Sequence, residues 1–219
     1  MLSDNAFDAV TRWDRSWSAL RLPAPETAVR ERLLANYRSA DRAYHSMQHL
    51  AECFARFDEV ESLVRESGEV QVALWFHDAV YDTHRDDNEA ASAEWASAVV
   101  RAAGGREEIV GRIERLILAT RHDVVPSDPD QTLLVDIDLA ILGAPADRFD
   151  EYEAQIRREY RWVPDAEFRV GRSAILQRFL TRPFIYCSAP FRARFESAAR
   201  ANLARASARV HRRHGGIHE

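Results

Sequence analysis

His45 and His49 stand four residues apart in "AYHSMQHLAECF" (43–54), and the apolar run "VALWF" ends on His77-Asp78. Further along, Asp136 and Asp138 interrupt a second apolar run, "TLLVDIDLAILG". An imidazole or carboxylate left unpaired in a core costs about 1–3 kcal/mol. Such groups therefore satisfy one another through hydrogen bonds, or a metal ion satisfies them together. Two imidazoles and two carboxylates suit a divalent first-row ion: Mn, Fe, Co, Ni or Zn. Mg suits them less, because of the nitrogens. Four protein ligands leave positions open on an octahedral ion, and a water bound there has its pKa lowered toward 7. Spacing leaves open whether His45 or His49 is the ligand, and whether Asp136 or Asp138 is. Each fragment is weak by itself. A second His-Asp pair occurs at His122-Asp123, and Ser46 follows His45 where a zincin has its catalytic Glu. The ordered set across distant segments carries the signal.

Helices must bring these residues together, since the periodicity is helical nearly throughout. Helices are expected over 5–20 and 26–39, split by the prolines of "RLPAP", and again from His45 to the "ESGE" at 66–69. In that third segment Met47, Leu50, Phe54 and Phe57 form one apolar stripe, with His45 and His49 on its flank. Residues 70–79 are apolar nearly all round and predict a buried helix. An Ala-rich helix opens at Asn88-Glu89 and stops at Gly104-Gly105, and another runs from about Ile109 to Thr120. "TLLVDIDLAILG" has strand-like alternation, but its helical neighbours favour a buried helix. Three more helices are expected at about 146–160, 165–181 and 189–211. The expectation is one all-α domain spanning 1–219, with a core of about 37–205 and a tail from 206.

Composition narrows the function. The net charge of −5 gives no global field for nucleic acid or an anionic membrane. All 30 basic residues are arginine, which excludes Schiff-base and phosphate-binding lysines. Cys53 and Cys187 are isolated, as expected in a reducing compartment. No apolar run reaches the roughly 18–20 residues of a membrane span, and the N-terminus lacks an export signal, so a cytoplasmic setting is expected.

The motifs "YHSMQHL", "WFHDAVYD…DNEAASA", "LILATRH", "DIDLAILG", "EYRWVP" and "RPFIYCSAPFRARFESAARANL" together resemble the HD superfamily of metal-dependent phosphohydrolases, and within it a bacterial family of HD phosphohydrolases without a settled substrate. The likeness covers about 37–205. It implies an HD-type helical bundle in which His49, His77, Asp78 and Asp138 hold one divalent ion. Asp138 is preferred to Asp136 because it precedes an apolar residue, Leu139, as the superfamily's distal Asp does. By likeness to cyclic-nucleotide phosphodiesterases, His45 becomes the proton donor to the leaving oxygen, although Ser46 stands where that group has Asn. Asp78 would also orient the attacking water. The implied activity is hydrolysis of a phosphoester, a nucleotide among the candidates, by metal-bound water. The alternative is a non-catalytic nucleotide or phosphate sensor on the same scaffold. His122, Glu89, Tyr81 and Arg182 are secondary candidates for contacting substrate. Glu89 is equally explained by its place at a helix start, and His122 by a helix C-terminus.

Overall fold

The computed structural model describes residues 7–212, with side chains to 209. It is all-helical over these residues, and the contacts group the chain into two compact units, Met1–Ile137 and Asp138–Glu219.

The first unit is organised around the helix that the sequence marks as apolar on every side. α1 (Ala9–Leu20), α2 (Thr27–Tyr37) and α3 (Met47–Val60) precede α4 (Ser67–Phe76); α5 (Asn88–Ala102), α6 (Glu107–Ala119) and α7 (Pro129–Asp138) follow it. α4 packs against α1, α3, α5 and α6, and every residue from Gly68 to Phe76 is buried. No solvent-facing stripe is left to show a periodicity, which is why the segment reads as apolar all round. Trp75 lies edge-on to Trp13 with ring centroids 5.4 Å apart, and its indole N–H donates to Ser16 Oγ at 3.0 Å. At the N-terminal end of α4 a β-carbon on Gly68 would collide with the backbone of Ala19 and Leu20, so only glycine lets α1 come this close.

Two boundaries differ from the sequence expectation. His45 sits in the turn before α3 rather than on its stripe, and Ser46 takes the N-cap position. α3 also stops at Val60, a single 3-10 turn (Glu61–Leu63) follows, and "ESGE" belongs largely to the start of α4. The cause is non-local. The backbone amides of Arg65 and Glu66 donate to the two carboxylate oxygens of Asp130, both at 2.9 Å, and so are satisfied by a residue on α7.

The second unit begins with a 3-10 segment (Leu139–Gly143) and continues through α8 (Ala146–Glu159), α9 (Asp165–Leu180) and α10 (Ala189–Arg212). "TLLVDIDLAILG" is thus helical, as expected, but tightens into 3-10 geometry after Asp138. α10 packs on that segment and on α9. Asn202 Nδ2 donates to the carbonyls of Leu142 and Ala144, both at 2.9 Å, meeting acceptors that the short segment cannot satisfy internally.

Candidate metal centre

The site is built at the C-terminal end of a buried helix. His77 is the C-cap of α4, and its amide donates to Ala73 O at 2.8 Å. Its ring Nδ1 lies 2.8 Å from Leu74 O. A carbonyl only accepts, so the proton is on Nδ1 and the lone pair is on Nε2. The turn after it is clamped from behind by two residues with no sequence signal of a role. Arg42, itself buried, donates through Nη1 to Asp78 O at 2.6 Å and through Nη2 to Ala79 O at 3.1 Å; Asn36 Nδ2 donates to Ala79 O at 2.9 Å.

His49, on the first turn of α3, completes a triangle. Its Nε2 lies 3.1 Å from His77 Nε2 and 3.4 Å from Asp78 Oδ2, and His77 Nε2 lies 3.1 Å from the same oxygen. Both rings are at most 2% exposed. Asp78 Oδ2 is buried and has no well-directed hydrogen bond among the described residues, although two ring nitrogens stand this near. The geometry explains this: the lone pair of His77 cannot donate to a carboxylate. With His49 protonated on Nδ1 as His77 is, both ring nitrogens and the Asp78 oxygen present lone pairs to one point, an arrangement that suits a cation. The spacing also fits one, because ligand atoms about 2.1 Å from a shared ion stand roughly 3.0 Å apart in an octahedron and roughly 3.4 Å apart in a tetrahedron.

The electrostatics agree. Burial alone would push the Asp78 carboxyl up, but the neighbouring imidazoles, His77 before His45 and His49, outweigh it and hold the group well below the ordinary carboxylate range. The same negative charge, after burial, helps to push the Tyr37 phenol up; that hydroxyl donates to Trp75 O at 3.1 Å.

A fourth and a fifth group approach. The metal-binding atoms of His49, Cys53, His77 and Asp138 lie within 4.8 Å of one another. Asp138 is the last residue of α7, the rest of which belongs to the first unit. Asp136, two residues earlier on the same helix, is fully buried and is not in this group. Cys53 follows His49 by one turn of α3, and its sulfur is 3.8 Å and 3.7 Å from Nδ1 and Nε2 of that ring. Near-equal distances to the two nitrogens single out neither lone pair. The i, i+4 spacing from His49 was a legible signal for Cys53 that the sequence reading spent on redox compartment instead. Asp78 is not one of these four, although its Oδ2 lies nearer to both rings than the sulfur does to His49, so two overlapping sets, one with Asp78 and one with Cys53 and Asp138, share the two imidazoles.

The other candidates distribute as follows. The ring of His45 stacks on Tyr81 at 4.0 Å between centroids, tilted by 26°, and its centroid is 5.9 Å from that of His49. Both His45 and Tyr81 therefore border the triangle without entering it. Glu89 is half-buried in the first turn of α5, where its charge suits the helix dipole. Its neighbour Asn88 does not cap that helix but exchanges hydrogen bonds with the backbone of Asp82, at 3.1 and 2.9 Å. His122 follows the end of α6 with a left-handed φ of 57° and is not among the gathered atoms. Arg182, in the second unit, lies over the Phe179 ring at 4.6 Å, and burial lowers its pKa. Tyr186 is buried and donates to Leu139 O at 3.1 Å, a structural role. The terminal histidine tract, "HRRHGGIHE", lies outside the described side chains. No helix among the described residues is long and apolar enough to cross a membrane.

The chain matches no protein-family model, no curated protein and no solved structure.

Proposed function

We propose that the protein is a metal-dependent phosphohydrolase, acting on a phosphoester of a small molecule such as a nucleotide. The observation that carries this reading is the triangle of His49 Nε2, His77 Nε2 and Asp78 Oδ2, ligand-type atoms 3.1–3.4 Å apart in a buried setting. In this reading these three groups hold a divalent ion, and Asp138 completes the set. The ion supplies Lewis acidity toward a phosphoryl oxygen and toward water.

The chain's own residues do the rest. The Nδ1–H bond from His77 to Leu74 O fixes which nitrogen faces the ion. The unused oxygen of Asp78 orients the attacking water. His45, held flat against Tyr81, donates a proton to the departing oxygen, a step typically contributing about 10²–10⁴-fold. With no lysine in the chain, the remaining phosphate charge falls to arginine and backbone amides.

The test is elemental analysis of protein purified without added metal, followed by a panel of nucleotides and model phosphate mono- and diesters with Mn²⁺ or Co²⁺. The expected result is near-stoichiometric metal and turnover that disappears on chelation and in His77→Ala. Turnover that survives in His77→Ala would overturn the reading. Full metal occupancy with no turnover across the panel would replace it with the sensor reading.

A further inference from the structure

A cleft of about 710 Å³ opens in the first unit at the opposite end of α4 from His77-Asp78. It is lined by the end of α1, the residues leading into α4, and the start of α6. Four arginines, Arg21, Arg65, Arg106 and Arg112, face two glutamates, Glu66 and Glu69. This is a local excess of positive charge in a chain of net charge −5.

The charges are not equivalent. Glu69 is buried and is bound through both oxygens by Arg112, so that pair is closed on itself. Arg21, Arg65 and Arg106 have no carboxylate partner among the described residues. Arginines elsewhere show the alternative: Arg12 pairs with Asp58, Arg85 with Asp87 and Arg101 with Glu107. All three side chains are exposed, so water screens them from one another, and no carboxylate of the described residues occupies the space they border.

The frame that presents them is fixed. Arg21 closes α1 in the left-handed region at φ 59°, and its amide bonds Ser18 O at 3.0 Å. Leu22 N takes Trp17 O at 3.2 Å, so the end of α1 turns no bare carbonyl toward the cleft from these two residues. Asp130 pins the backbone of Arg65 and Glu66. The positive end of the α4 dipole points the same way.

We propose that this cleft is a second binding site, independent of the metal centre, for a small molecule bearing two or more phosphate or carboxylate groups. Guanidinium forks match the geometry of both oxyanions, and the volume suits a metabolite-sized ligand. Glu66, which is exposed, is the one lining carboxylate not locked to an arginine, and it limits affinity.

The experiment is calorimetric titration of the full chain, stripped of metal, with sodium tripolyphosphate and separately with citrate, in low and in moderate salt. Saturable one-to-one binding by at least one anion is expected, weakening as salt rises. The double variant Arg65→Ala/Arg106→Ala should bind at least tenfold more weakly. Asp78→Ala should bind as the parent does, and Glu66→Gln about twofold more tightly. The arm that binds more tightly identifies the oxyanion. No binding of either anion by the parent at several millimolar, unchanged affinity in the arginine double variant, or loss in Asp78→Ala alone would each overturn the proposal. None of these results depends on whether the protein hydrolyses anything.

Discussion

Two buried ionic centres, one in each unit, differ in what they leave unsatisfied. In the second unit Arg172 on α9 is 7% exposed, yet Nη2 donates to Tyr152 Oη at 2.9 Å and to Glu153 Oε1, and the guanidinium lies over the Tyr152 ring at 5.1 Å. Burial works against its charge, and Tyr152 and Glu153 more than restore it, so its pKa rises. Donors meet acceptors, and the centre is closed. In the first unit two ring nitrogens and the buried Asp78 Oδ2, which has no well-directed hydrogen bond among the described residues, stand 3.1–3.4 Å apart. Burial of charged side chains is therefore not the mark of a functional site in this molecule. The mark is an imbalance: ligand-type groups gathered at the spacing an ion would need, with no guanidinium among them. The arginine cleft shows the same imbalance with the opposite sign.

The comparison breaks most sharply at the triangle. His77→Ala or Asp78→Ala should release the metal and reduce turnover at least 100-fold, while helix content measured by circular dichroism stays near that of the parent. Metal retained in either variant would show that the triangle is closed after all, like the Arg172 centre. A smaller effect is expected one layer out. Arg42→Met leaves the candidate ligands intact but frees the carbonyl of Asp78 and leaves that of Ala79 to Asn36 alone, so metal affinity should fall about 10–100-fold, as for other groups that orient ligands. A competition titration with a chromogenic chelator reads this directly.

At the closed centre the expectation reverses. Arg172→Met removes the partner of Glu153, whose side chain is 21% exposed and so partly hydrated. A cost of about 2 kcal/mol is expected, below the usual loss for breaking a fully buried pair. Adding Glu153→Leu should recover part of it, because an apolar pair of similar volume replaces a satisfied ionic one. Thermal denaturation of both variants measures this, and metal content should not change in either.

Much of this was legible beforehand, for identifiable reasons. Helix existence followed from apolar spacing, and the all-round apolar α4 was visible because a buried helix has no polar face. His49, His77 and Asp138 stood out because imidazole and carboxylate are out of place in apolar runs, and the structure gathers them, whereas Cys53, which joins them, did not. What escaped was held by long-range partners. The early end of α3 depends on Asp130, 65 positions beyond Arg65. The clamp on the His77-Asp78 turn depends on Arg42, one of 30 basic residues with nothing local to single it out. Likewise the division at Ile137 to Asp138 falls inside a continuous apolar run that offers no break in composition.

The smallest expected effect lies at a closed centre on the surface. Asp150 accepts from Arg205 at 3.0 Å and from Arg209 at 2.8 Å, and these hydrogen bonds, Arg209's first, hold its carboxyl below the ordinary range. All three side chains are 31–52% exposed, so water and salt screen them, and the network is worth about 0.5 kcal/mol. Its pH dependence has a definite sign. The folded pKa is lower than the unfolded one, so the stabilisation is fully present above the unfolded value. It is lost as pH falls through the lower folded value. Asp150→Asn should therefore lower the melting temperature at pH 7 by a degree or two, roughly what such an energy represents in a chain of this size. The difference from the parent should shrink as pH falls below the unfolded value and vanish only below the lowered folded value, where both carry a neutral side chain at 150, and it should shrink at pH 7 in 1 M salt. A difference that persists in acid would assign the effect to packing of the side chain and not to its charge.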